Sequence, residues 1–371
     1  MDNPTQLATL VAWAAFALAF LFGVIACRTH FCTMGAVSDL INIGDWSRMR
    51  MWLLAIAVAM VCTNGLALAG MLDLSKSFYT GERFLWLSHI AGGALFGVGM
   101  TIASGCGSRN LIRMGGGNLK SLIVLVCLGL SAYMTMKGLF ALARVNLLDS
   151  VALHLQGGQD LPNVLARYTG ASTSWVRIAC TAVIAGAIAL FVFADPAFRR
   201  NREYVAAGLL IGMIVAGGWY VTGRIGYLAE DPNTLSEAFL GTNSKRPESF
   251  TFVGPVGYSL ELLMLWTDAS LKVTFGIAAV LGLFAGALVY SLASKTFRWE
   301  GFTTAADLRS HIAGGVLMGF GGVTALGCSV GQGITGLSTL ALGSLLTFTS
   351  IVLSSALTMK WLYWRMQRGS S

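Results

Sequence analysis

Three cysteines stand where apolar runs of this chain give out: Cys32 in RTHFCTMG, Cys106 in ASGCGSRN and Cys328 in LGCSVGQG. The last two close a segment that occurs twice, HIAGGALFGVGMTIASGC at 89–106 and HIAGGVLMGFGGVTALGC at 311–328, with eleven of eighteen positions identical and no gap. Each copy passes through glycines four apart, Gly93 and Gly97 or Gly315 and Gly319, to a Gly-Cys pair. Glycine is a poor helix former and permits positive φ, so each helix is expected to stop at the pair and leave its thiol beside a loop. A packing face that ends in a small buried thiol would explain one copy alone. Two copies with the same terminal cysteine favour a working site.

A thiol is soft and polarisable, donates a weak hydrogen bond, and carries no fixed charge that would hold an anion too tightly to release. With helix N-termini at the breaks adding positive potential, three such thiols suit a sulfur-containing oxyanion or a soft cation such as Cu(I). His30, two residues from Cys32, could tune that thiol. Arg28 has a counterpart in Arg224, but the place matching Cys32 falls near Leu228. A membrane enzyme passing electrons through thiols would need a vicinal pair; no CxxC is present, and Cys27 with Cys32 is the nearest substitute. Cys27, Cys62, Cys127 and Cys180 lie in apolar runs and read as core filling, and His89 and His311 as hydrogen-bonded helix ends. Glu261 and Asp268 are the only carboxylates near an irregular apolar run at 252–266, and either could couple transport to protons. No GxxxxGK phosphate loop occurs, so transport would be passive, ion-coupled or pulled by an acceptor. Neither a cofactor nor a resident metal is expected.

The elements that must position these groups are membrane helices. Of 371 residues 55% are apolar and 11% charged, and the mean hydropathy is +0.70, too apolar for a soluble domain. About nine spans are expected, at roughly 7–27, 50–72, 86–104, 119–142, 173–194, 203–220, 272–293, 311–327 and 338–362. A tenth run at 252–266, with Pro255 and Glu261, is expected to lie at the interface or dip part-way in. The net charge of +8 reads as topology and not as a nucleic-acid site. Basic residues such as Arg48, Arg50, Arg109, Arg113, Arg199, Arg200, Arg298 and Arg365 fall on one side, which puts the N-terminus outside and the C-terminus in the cytoplasm. Seven cysteines without paired spacing are expected to be free thiols. The first apolar run follows Asp2 with no basic start and no cleavage site, unlike a signal peptide.

The duplication extends further: Ser75-Lys76-Ser77-Phe78 resembles Ser294-Lys295-Thr296-Phe297, and Thr135-Met136 matches Thr358-Met359. Four spans then form one repeat and a fifth connects two of them, giving 1–144, a loop and connecting span at 145–199, and 200–371. A single connecting span turns the second repeat upside down. The polar stretches 143–172 and 226–250 fall outside and show nothing catalytic.

At RTHFCTMGAVSD around Cys32, GCGSRNL around Cys106 and GCSVGQG around Cys328, the sequence resembles the YeeE/YedE family of sulfur-transport membrane proteins, over about 13–364. The resemblance implies an all-α polytopic protein with broken helices in two inverted pseudo-symmetric repeats. It further implies uptake of thiosulfate across the inner membrane, the ion being handed along Cys32, Cys106 and Cys328 by S–H hydrogen bonds, and a small cytoplasmic TusA-like sulfur-carrier partner. The chain is long for the family, the excess falling in the two outer loops. Since the family includes members assigned to selenium metabolism, a selenium species is an alternative substrate.

Overall fold

The computed structural model describes residues 4–231 and 235–369; Asp2 lies outside them. Among the described residues the chain is all-α apart from two antiparallel pairs of two-residue strands, 83–84 with 153–154 and 227–228 with 238–239. The helices are α1 Pro4–Arg28, α2 Thr33–Asn42, α3 Ser47–Leu68, α4 Trp86–Ile102, α5 Gly107–Gly115, α6 Leu119–Lys137, α7 Leu139–Ala143 and α8 Leu161–Thr169. They continue as α9 Thr173–Phe193, α10 Pro196–Arg200, α11 Arg202–Tyr220, α12 Val253–Met264, α13 Phe275–Ala293, α14 Ala305–Thr324 and α15 Leu342–Gly369. Among the described residues, eight helical stretches are long and apolar enough to cross a membrane, with α1–α2 and α4–α5 each forming one broken stretch. The ninth expected span is α14, 20 residues long, whose hydropathy is lowered by Asp307, Arg309 and a run of glycines. Outward-facing Trp13, Val183, Leu190 and Leu353 are more than half exposed, which suits a lipid-facing surface and not water. The protein is a multi-pass membrane protein.

Glycines set how the helices meet. In lipid, helix association relies on close packing, and a missing Cβ lets backbones approach. The equivalent helices of the two sequence copies, α4 and α14, cross antiparallel: a Cβ on Gly92 would lie 2.7 Å from the Gly321 carbonyl oxygen, and one on Gly99 would lie 2.8 Å from that of Gly314. The GxxxG pairs expected from the sequence face elsewhere. Gly93 and Gly97 press on the carbonyls of Thr347 and Ile351 in α15, while Gly315 and Gly319 press on those of Val124 and Leu128 in α6. Each copy therefore packs on the last helix of the other half. The exchange continues as α1 along α13 and α3 along α11, and as α2 on α15 and α12 on α6. Reciprocal packing of equivalent antiparallel helices is the signature of inverted repeats.

This pairing makes α12 the counterpart of α2, not the segment near Leu228 anticipated from the sequence. Leu228 sits in a short strand, and 226–250 is an insertion ahead of the half-helix. The N-terminal end of α12 is buried at Phe252 and Val253, whereas Leu263, Met264 and Trp266 are exposed, so the tenth run dips inward. Loops on both sides close the bundle in matching ways. Leu161 N–H donates to Leu340 O at 2.9 Å and Leu342 N–H to Gln159 O at 3.1 Å; opposite, Leu119 N–H donates to Glu300 O at 2.9 Å and Glu300 N–H to Gly117 O at 3.2 Å.

Candidate functional site

The three cysteines share one local design. Ahead of each, a helix ends in a residue with left-handed backbone: His30 (φ 52°), Ser104 (φ 56°) or Leu326 (φ 58°). The next residue then donates its N–H back across the last turn, Phe31 to Ala26 O at 3.1 Å, Gly105 to Met100 O at 2.8 Å and Gly327 to Gly322 O at 2.8 Å. This is a Schellman closure, and holding a non-glycine residue in that region costs about 1–2 kcal/mol. The expectation that the glycines supply the positive φ is thus corrected, because the strained residue precedes them. Gly105 and Gly327 sit close under neighbouring side chains: a Cβ on either would come within 3.1 Å of the Arg109 or Gln332 side chain.

After each closure the cysteine caps a new helical segment. The Cys32 sulfur accepts from Gly35 N–H at 3.4 Å, and the Cys328 sulfur from Gly331 N–H at 3.4 Å. Cys106 precedes α5 in extended backbone, its sulfur 3.3 Å from the Ser108 hydroxyl. Broken backbone inside a membrane protein is tolerated where protein or a cavity satisfies it, and all three thiols are at most 5% exposed.

The fold brings the three together. The Cys32 and Cys106 thiols are close neighbours, and the Ser329 side chain lies near Cys106, its hydroxyl without a hydrogen-bond partner among the described residues. Cys328, next to Ser329 in the chain, has the Phe252 backbone N–H nearby and lies 3.8 Å from the Thr251 hydroxyl. Thr251 in turn lines a cavity of ≈ 240 Å³ walled by Asn243, Ser244, Glu248, Leu326 and Gly327, with Arg144 at its edge. At the other end, His30 and Ser104 are exposed. A line of polar groups therefore runs from the cavity through Cys328, Ser329 and Cys106 to Cys32 and the opposite surface. The first turns of α2, α5, α12 and the segment after Cys328 all begin along it, and their N–H groups favour an anion.

Ser329, Thr251 and Ser108 had no place in the sequence argument, although two of them lie within two residues of a cysteine. Glu248 and Ser244 come from the loop 226–250, which had shown nothing of interest. Glu248 is buried, accepts from the Ser244 hydroxyl at 2.5 Å, and its carboxyl is raised to about 7 by burial. The other sequence candidates are dispersed. His89 Nδ1 meets the Thr347 hydroxyl at 2.7 Å, and His311 Nδ1 meets the Asp307 carbonyl oxygen at 2.8 Å, at opposite ends of the α4–α14 pair. Glu261 is held by the Tyr133 hydroxyl at 2.7 Å and Lys137 at 3.0 Å. All seven cysteines are free, and Cys27 and Cys62 are half-buried. Among the described residues no three His, Cys, Asp or Glu side chains gather as metal ligands.

A bundle of broken membrane helices with a buried polar line between two reciprocal halves has the architecture of a transporter. The family described as Sulphur transport matches residues 28–357, and the chain belongs to this family, also known as YeeE/YedE, which makes it a transporter and not an enzyme. Among its relatives is the thiosulfate transporter TsuA of Escherichia coli K12, 27% identical over 332 residues, or 85% of this chain and 84% of the relative. The TsuA of Spirochaeta thermophila is 26% identical over 365 residues, 95% of this chain and 99% of its own length.

Proposed function

We propose that the protein imports thiosulfate across the bacterial inner membrane, with its N-terminus outside and its C-terminus in the cytoplasm. The observation that carries this reading is the buried row of side chains from the cavity at Thr251 past Cys328 and Ser329 to the neighbouring thiols of Cys106 and Cys32. Two relatives that align over most of their lengths bear the name thiosulfate transporter, which supports the substrate. The anion enters the cavity and meets Cys328 first, then Cys106, then Cys32. At each station an S–H group and helix N-terminal N–H groups replace part of its hydration shell, and no fixed cation binds it too strongly to move on. Two repeats, 1–144 and 200–371, joined by 145–199, place their breaks back to back around this path, and lipid covers the outer faces. A small TusA-like carrier on the cytoplasmic side takes the sulfur onward and keeps the gradient inward.

The test is thiosulfate-dependent growth of a bacterial strain without its own thiosulfate and sulfate importers, expressing this protein or its Cys328→Ala form at equal membrane levels. Growth with the native chain alone is expected. Growth with both would remove the thiol path, and growth with neither would remove the substrate assignment.

A further inference from the structure

The positive charges near Cys32 differ in how they are balanced. Arg28 pairs with Glu203 at 2.7 Å, Arg50 with Asp195 at 2.9 Å and Lys120 with Asp307 at 2.7 Å, while Arg113 donates to the Ser104 carbonyl at 3.1 Å. Arg109 has neither a carboxylate nor a hydrogen-bond acceptor among the described residues. It sits in the first turn of α5, three residues after Cys106, half-buried, with its stem laid over Gly105. Its field acts on Cys27, His30 and Cys32, and on the like charge of Arg113.

A second guanidinium lies at the start of α2. Arg48 is anchored to Asp39 at 2.7 Å through Nε, which leaves a terminal nitrogen over Gly35, where a Cβ would come within 2.6 Å. Gly35 is the residue whose N–H donates to the Cys32 sulfur. Arg48 and Arg109 also both act on His30, which is exposed at the break. Arg109 has no counter-charge and has Arg113 as a like charge within its field, and a guest with two negative charges would supply the missing partner. Nothing of the kind lines the opposite cavity, where Arg144 is paired with Asp149 at 3.1 Å.

We propose that Arg109, with Arg48 and His30, forms an oxyanion-binding site beside Cys32 that draws the anion off the last thiol. This rests on the transport reading above and adds to it a station made of charge in place of S–H groups. Because Arg109 is half-exposed, solvent screens the attraction, so the ion is held briefly and released to the cytoplasm.

Purified protein in liposomes separates the possibilities. Arg109→Gln is expected to lower the maximum rate of radiolabelled thiosulfate uptake about tenfold while shifting the half-saturating concentration less than about twofold, because that concentration is set at the far cavity. Arg109→Lys should retain part of the rate. Since Arg109 has no partner to lose and a like charge to escape, the melting temperature of Arg109→Gln should not fall; a clear fall would mark the arginine as structural and overturn the site. An unchanged maximum rate would also overturn it while leaving the thiol path intact. Were the native protein to show no uptake, the transport reading would fall, and the site would be decided by direct thiosulfate binding to detergent-purified protein at low salt. Weaker binding by Arg109→Gln supports the site; equal binding refutes it.

Discussion

Cys106 is the thiol whose removal should be most informative, because it stands between the other two and acts on both. Its sulfur is 3.3 Å from the Ser108 hydroxyl, with the Cys32 thiol and the unpartnered Ser329 hydroxyl nearby, at a position 1% exposed. Cys106→Ala removes that sulfur and leaves an apolar gap in the middle of the line. A hydrogen bond to a charged group contributes about 1.5–3 kcal/mol. With about 1.4 kcal/mol per factor of ten, the anion is held there about 10- to 150-fold less well, and the barriers on either side of the station rise by a similar amount. In a single-file path with stations in series, uptake falls by the same factor. Cys106→Ser keeps a donor, a stronger one on a shorter bond, so its loss should stay below about tenfold. Initial rates of radiolabelled thiosulfate uptake in cells lacking other importers, normalised to protein in the membrane, measure both. An Ala variant within about twofold of the native rate, or a Ser variant worse than the Ala one, would refute the idea that the S–H group serves as a donor at this station.

Two further outcomes follow from other parts of the molecule. Glu248 has its carboxyl raised from 4.5 to about 7 by burial, so the folded state holds its proton more tightly than the unfolded chain does. Its effect on stability is therefore most favourable below about pH 4.5 and is lost as pH rises through about 7, by roughly 3 kcal/mol in total. Melting curves in detergent should show the native protein losing stability between about pH 5 and 8 more than Glu248→Gln does; parallel curves would contradict the assignment. At the α4–α14 crossing, Gly99→Val would drive a branched side chain into the Gly314 carbonyl, where even a Cβ comes within 2.8 Å. Overpacking of this kind costs about 1–3 kcal/mol or more, which should appear as a lower melting temperature and less folded protein in the membrane, whereas Gly186→Val, where a Cβ meets nothing within 4 Å, should leave both unchanged.

Apolar runs, the doubled HIAGG…GC segment and the three Gly- or Phe-flanked cysteines are local features of the chain, and from them follow the membrane class, the helical fold and the positions of the breaks. A hydrophobic span and a helix stop are each decided within about 20 residues, so sequence periodicity and glycine placement suffice to read them. Which glycine faces which helix was not legible. Gly93 and Gly97 turned out to meet α15, and the crossing of α4 with α14 is made by Gly92, Gly99, Gly314 and Gly321, because a one-residue step rotates a helix face by about 100°. The insertion 226–250 displaced the counterpart of Cys32 from Leu228 to the start of α12, a register that only packing on α13 and α6 defines. Convergence of the thiols, the presence of Ser329 between them and of Thr251 at the cavity end, and the isolation of Arg109 beside Cys32 belong to the tertiary structure alone. Each depends on contacts between residues 70 or more apart in the chain or on the absence of a counter-charge, and neither a distant contact nor a missing partner leaves a mark in one sequence.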